Sequence, residues 1–294
     1  MNASTRIKWL GRFSLIVASW LLLALNVAAA EPVFDVVVGG QTRQFGRDEL
    51  LRRPDVARVT VANDIAYGKS MSYRAVPVSA LLAGLSPPAD SVIESVALDG
   101  FAAQLPLDIL TNTDPAKPIA WLAIEPADMP WPPLPGKAVS AGPFYIVWTG
   151  ASVATIRSEQ WPYQLAKLES QPSPLARWPA LDVDPGLSAI DPARGGLALF
   201  VTQCLACHTL NGAGASSFGP DLNQPMNPTE YLTLDGLRAL IRNPKAVRTW
   251  PGLQMPGFAA DQMTDSEIDH IIGYLKHMAT RRGNSETRSG ALPR

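Results

Sequence analysis

Cysteine is almost absent: the 294 residues contain two. Two thiols cannot build a disulfide framework, so the fold cannot rest on covalent cross-links. Both fall in one five-residue string, Cys204-Leu205-Ala206-Cys207-His208, which confines sulfur chemistry to one place. Histidine is scarce too, with only His270 and His277 besides. Charged residues make up 17% and the formal net charge is −1, which leaves no basic field for nucleic acid. After residue 30 no apolar run approaches the length of a membrane span. Apolar side chains are plentiful, at 47%. That fraction excludes disorder as the main state, and the length suits two globular domains.

The first thirty residues read as a secretory signal. Arg6, Lys8 and Arg12 form a positive start, residues 13–27 are mostly apolar, and Ala28-Ala29-Ala30 offers small residues for cleavage before Glu31. The alternative is an uncleaved membrane anchor, since residues 13–30 are just long enough to span. Cleavage leaves 22 basic against 26 acidic side chains, a balance of −4. The signal lacks a twin arginine and therefore suits the general route that passes unfolded chain. The expected location is the periplasm, with any cofactor inserted after export.

A proline-dense stretch divides the rest. Residues 171–190 carry Pro172, Pro174, Pro179 and Pro185, which disfavour helix interiors and central strands and favour a semi-rigid connector. Trp178 and Leu181 within it are apolar enough to pack on a neighbour. Before it, residues 31–170 show short apolar or β-branched runs bounded by Gly, Pro or Asp-Gly: 33–38, 56–62, 91–98, 119–124 and 144–148. Short helices fit at 47–52 and 78–83, and 126–135 is a loop. That pattern predicts an α+β domain. After it, residues 191–280 read as all-α. Asp191-Pro192 is an N-cap with proline at the first helical position. Leu197, Phe200, Val201 and Cys204 then follow helical spacing. A helix over 234–242 is stopped by Asn243-Pro244. Thr264 and Glu267 form a capping box, with Met263 and Ile268 as a hydrophobic staple. Ile268, Ile271, Ile272, Leu275 and Met278 make the last helix's apolar face. Residues 281–294 are a polar tail.

Cys-x-x-Cys-His is the attachment string for c-type haem. Two thiols add across the porphyrin vinyl groups, and their i, i+3 spacing presents both sulfurs to one edge. The next histidine, His208, is then held under the iron. Three alternatives use the same residues. A thioredoxin-like redox pair would want a βαβ setting. A zinc site would need two more ligands. A plain disulfide needs only export. Met255, 47 residues after His208 and bracketed by Pro251-Gly252 and Pro256-Gly257, suits a fixed thioether ligand on the far side. Its rivals are Met226, Met263, Met278, His270 and His277. Arg248 and Trp250 could hydrogen-bond the haem propionates. Gly196 would let the first and last helices cross closely.

On these residues, 190–280 resembles a class I, monohaem cytochrome c. Gly196 and Phe200 are similar to the Gly-x-x-x-aromatic of that family's first helix. Gly219-Pro220-Asp221-Leu222 resembles its loop, and the resemblance implies that the Pro220 carbonyl accepts a hydrogen bond from His208. Met255-Pro256-Gly257-Phe258 resembles the distal-ligand loop. Ile271, Tyr274 and Leu275 resemble the last-helix face that packs on the first helix. The resemblance implies one covalent haem c, thioethers at Cys204 and Cys207, and His208 and Met255 as axial ligands. Such a site moves one electron and leaves no open iron position.

Residues 33–168 resemble the molybdopterin-binding domain of sulfite-oxidase-type enzymes. The likeness rests on Tyr73-Arg74-Ala75-Val76-Pro77-Val78-Ser79-Ala80-Leu81-Leu82, on Ala97-Leu98-Asp99-Gly100-Phe101 and on the stretch 134–143. That family holds molybdenum through a cysteine thiolate, and no cysteine precedes Cys204. Around Val59-Thr60-Val61-Ala62-Asn63, where it would be sought, there is none. The expectation is therefore an exported electron carrier rather than an enzyme, with no catalytic residue assigned. Its α+β domain would bind a partner or small ligand, and its redox partner would be a dehydrogenase, an oxidase or another cytochrome. The alternatives are an oxidoreductase with a pterin or other site in the α+β domain, and a haem-based sensor.

Overall fold

The computed structural model describes residues 30–216 and 218–282. The expected signal and most of the polar tail lie outside them. Among the described residues no helix is long and apolar enough to cross a membrane.

Two sheets build the first half. One has the order β2-β1-β9-β5-β6, from β1 (Val33–Val38), β2 (Gln41–Gly46), β5 (Ser91–Ala97), β6 (Ala102–Leu105) and β9 (Leu165–Pro172). The other runs β3-β4-β7-β8, from β3 (Ala57–Asp64), β4 (Lys69–Pro77), β7 (Ile119–Ile124) and β8 (Phe144–Thr149). The second sheet is wholly antiparallel, while β1 pairs in parallel with β9. Alternation sets the faces: Phe34, Val36 and Val38 point inward from β1. β8 is buried almost throughout, as a strand under continuous cover must be. Residues of both sheets share one core, with Trp148, Tyr73 and Tyr145 its largest fully buried side chains. Short helices α1 (Arg47–Leu51), α2 (Val78–Leu82) and α3 (Leu107–Leu110) cover it.

In this half the five expected strands and two helices are present. The expectation lacked β2, β4, β6 and β9. β9 is a central strand despite Lys167, Glu169 and Pro172: it pairs with β1 on one side and β5 on the other, and its two charges pair with each other at 2.8 Å. Val59 and Val61 of β3 point into the core, while Thr60, Ala62 and Asn63 face out. Asp64 closes that strand inside a cage of tyrosines. It accepts from Tyr73 Oη at 2.8 Å, Tyr145 Oη at 3.2 Å and the Tyr67 amide at 2.9 Å. Burial pushes its pKa up, and these bonds oppose the rise.

The proline-dense stretch is more structured than a connector. β9 continues to Pro172, and Ser173 caps α4 (Pro174–Arg177). A 3-10 turn follows at Pro179–Leu181. Arg177 grips the first half through Glu94 at 2.8 Å and Gln104 at 3.0 Å. Leu181 and Val183 enter the second core. Tyr274 Oη donates to the Leu181 carbonyl at 2.6 Å. The stretch is a strap bound at both ends.

The second half is helical: α5 (Pro192–Leu199), a π-helical turn at Phe200–Cys204, α6 (Pro228–Tyr231), α7 (Leu234–Arg242), α8 (Pro244–Val247) and α9 (Asp265–Ala279). Asp191 caps α5 through the Ala193 amide at 2.9 Å. Thr264 and Glu267 form the capping box of α9. The expected apolar face of α9 is buried throughout.

Candidate haem site

The site starts from the crossing of α5 and α9. A Cβ at Gly196 would overlap the His270 carbonyl oxygen and lie 2.6 Å from Tyr274 Cβ. Only a residue without a side chain permits this approach. Phe200 then packs against Tyr274, with the rings tilted by 50° and their centroids 5.3 Å apart. The crossing fixes where the chain leaves α5, and the π-helical turn carries it into the cysteine string. π-Type turns often mark functional positions.

Cys204 and Cys207 are both free thiols. The amides of Cys207 and His208 donate to the Cys204 carbonyl at 3.0 and 2.8 Å, which holds the string as a helical end with both sulfurs at i, i+3. Burial pushes each thiol up to about 12, and the carboxylate of Glu159 adds to this. Such thiols are neutral at pH 7. Among the described residues no three His, Cys, Asp or Glu converge as a metal site.

His208 Nδ1 donates to the Pro220 carbonyl at 2.8 Å. That bond fixes the tautomer and leaves Nε2 with its lone pair for a metal. Burial lowers the ring's pKa, partly offset by the Pro220 bond and Asp221, so the imidazole is neutral. Gly219 is required here too, because a Cβ would sit 2.5 Å from His208 Cε1. The loop is tied back by Gly219 N to Cys207 O and Leu222 N to Thr209 O, both 2.8 Å. Asp221 caps the turn by accepting from the amides of Gly212, Asn223 and Gln224 at 2.7, 2.8 and 2.9 Å.

Met255 sits half-buried in the loop after α8. Arg242 pins that loop, donating to the carbonyls of Phe258 and Met263, each at 2.6 Å. Gly257 passes so close that a Cβ would lie 2.7 Å from the Arg242 carbonyl. Met263 and Met278 are buried in the core and Met226 is 50% exposed. His277 Nε2 already accepts from the Asp184 amide at 3.1 Å. His270 packs beside Gly195. Trp250 is 45% exposed, with the Arg248 guanidinium 5.0 Å from its ring centroid. The structure thus brings Cys204, Cys207, His208 and Pro220 together and leaves Trp250 on the surface with Arg248.

Three asparagines absent from the sequence reading complete the frame. Asn223 Nδ2 donates to Asn211 Oδ1 and to the Met278 carbonyl, each at 2.7 Å. Asn227 Nδ2 donates to Asn223 Oδ1 at 2.8 Å and to the Leu275 carbonyl at 2.9 Å. This buried ladder satisfies late carbonyls of α9 and ties the His208 loop to that helix.

The donor set fits haem c. Two unpaired thiols stand at i, i+3 on a helical end, beside a neutral imidazole whose Nε2 keeps its lone pair. The family model for cytochrome c matches residues 193–279. No curated protein matches the chain. Among solved structures, the sulfane dehydrogenase SoxCD from Paracoccus pantotrophus aligns at 18% identity and a TM-score of 0.30. The alignment covers 49% of this chain and 38% of that one, so the chain spans well under half of that protein's length. Residues 193–279 form a class I cytochrome c domain, which carries covalent haem c and transfers electrons.

Proposed function

We propose that the protein is an exported, periplasmic carrier of single electrons, with thioethers at Cys204 and Cys207 and axial ligands His208 and Met255. The observation that carries this is the Nδ1 bond of His208 to Pro220 beside two unpaired thiols. When bound, haem with His/Met ligation supplies a reversible one-electron couple at raised potential. The chain's own residues do the rest. Pro220 holds the imidazole tautomer, Gly219 leaves room for the ring, and Arg242 fixes the Met255 loop. The α+β domain serves as a binding domain for a redox partner or small ligand, joined through the strap at residues 171–190. The absence of any cysteine before Cys204 favours this over a molybdenum enzyme.

Metal analysis of periplasmic material tests the reading. We expect about one iron per chain, retained on the chain after denaturation because the link is covalent, and no stoichiometric molybdenum. Iron that separates on denaturation would overturn the thioether assignment. Molybdenum at one per haem would overturn the carrier role in favour of an oxidoreductase.

A further inference from the structure

The cysteine string lies at the seam between the two halves. The 3-10 turn at Ser158–Gln160 packs against the π-helical turn at Phe200–Cys204, and β6 packs against both. Arg157 fastens the seam by donating to the Gln262 carbonyl at 2.9 Å and pairing with Glu267. Glu159 stands in that turn, and its charge raises the pKa of both cysteine thiols.

We propose that Glu159 is a positioning residue for the haem: the α+β domain holds its carboxyl against the Cys204–Cys207 edge, so that electron uptake is coupled to proton uptake. The inference rests on the haem reading above. Its geometric basis is the packing of the Glu159 turn on the attachment turn.

The surroundings of Glu159 decide whether it can titrate. The packed face of the π-helical turn offers Cys204 as its one ionisable group, and β6 (Ala102–Leu105) offers none. Asp99 faces Cys207 from the turn after β5. Arg157 is committed to Glu267 and Gln262. No cation among the described residues therefore offsets the carboxyl's loss of water, and burial pushes it up to about 7. Ser158 Oγ, Trp161 Nε1 and both polar atoms of the Gln203 side chain are buried without a protein partner.

The direction follows from charge. A carboxylate beside the haem favours the oxidised, more positive state. An electron from a one-electron donor removes that positive charge and raises the proton affinity of Glu159. Each electron taken up is then accompanied by up to one proton from solvent, which ends on a Glu159 carboxylate oxygen. Release of the electron to an acceptor returns the proton.

The test is a spectroelectrochemical titration of the full-length, haem-loaded protein at a series of pH values on either side of 7. We expect the wild-type midpoint potential to fall as pH rises. A tenfold tighter proton affinity in the reduced state corresponds to a fall of about 59 mV. Glu159→Gln should flatten that dependence and raise the potential at high pH, whereas Asp99→Asn should leave it in place. Should Glu159→Gln fail to load haem, redox-difference infrared spectra of the wild type serve instead, with a protonated-carboxyl band expected to appear on reduction. A flat wild-type profile, a slope that survives Glu159→Gln, a slope lost in Asp99→Asn or a missing carboxyl band would each overturn the proposal. Failure of the haem reading would show separately, as a chain without covalent iron.

Discussion

The crossing of α5 and α9 can be probed with three glycines that sit in helices yet meet different surroundings. Replacing helical glycine by alanine stabilises by about 0.5–1 kcal/mol when the methyl group has room. At Gly273 the new Cβ would lie 3.7 Å from Pro192 Cβ, an ordinary contact, so Gly273→Ala should gain about that amount. At Gly195 it would lie 3.1 Å from His270 Nδ1, a side chain that can yield. The propensity gain and the crowding should nearly cancel there, leaving a change within about 0.5 kcal/mol. At Gly196 the obstacle is the His270 backbone carbonyl, with its carbon 2.7 Å away. Backbone cannot yield without parting the helices. Overpacking costs about 1–3 kcal/mol, so the net loss for Gly196→Ala should be about 1–2 kcal/mol or more. Urea unfolding of the three haem-loaded variants reads this directly, provided the slope with denaturant is unchanged. The predicted order of stability is Gly273→Ala, then wild type and Gly195→Ala together, then Gly196→Ala. If Gly196→Ala proves as stable as Gly273→Ala, the close crossing is wrong.

Met255→Ala should abolish the weak sulfur-to-iron charge-transfer absorption of the oxidised protein. Its persistence would transfer the ligand role to Met226. Asn223→Ala should cost about 2–3 kcal/mol, because Asn211 Oδ1 and Asn227 Nδ2 each lose a buried partner; a loss below about 0.5 kcal/mol in thermal unfolding would contradict the ladder. The two seam carboxyls give opposite pH dependences. Burial raises Glu159 from 4.5 to about 7, so its effect favours folding at low pH and is lost as pH rises through about 7. Glu267 is also penalised by burial, but its bonds to Arg157 and Thr264 outweigh this and hold it below 4.5. Its contribution is present above 4.5 and lost as pH falls through its folded value. Glu159→Gln should therefore be more stable than wild type above pH 7 and not at pH 4, while Arg157→Ala should lose most of its deficit in acid. Denaturant titrations at these two pH values check the first, and a series descending from neutral pH until Glu267 is protonated checks the second.

The second half was legible because its determinants are local. Asp191-Pro192 and the Thr264–Glu267 box mark helix starts by hydrogen-bonding rules that act within four residues. The apolar face of α9 follows from spacing alone, and Cys-x-x-Cys-His carries its chemistry in five residues. The first half was only partly legible. β1, β7 and β8 are apolar enough to declare themselves. β9 is not, since its residues alternate with charges that pair with one another, and its central place comes from neighbours distant in sequence. The asparagine ladder was illegible for the same reason. Asn211, Asn223 and Asn227 look like loop residues until the fold brings Leu275 and Met278 to them.

The seam joins these two kinds of information. A fold made of two independent halves would place polar, solvated residues around the haem string. Instead Gln203 is buried, Glu159 lacks a cation, and Arg157 spends its guanidinium on the far helix. The strap adds Arg177 on one side and Leu181 on the other. Both features set the dielectric and the charge beside the cysteines from outside the cytochrome domain. A class I cytochrome domain cut at residue 190 would keep its helices and its ligand loops, since those are locally encoded. It would lose the Leu181 contact to Tyr274 and the carboxyl at the thioether edge. The α+β domain therefore acts on the haem through the seam whether or not it also binds a partner.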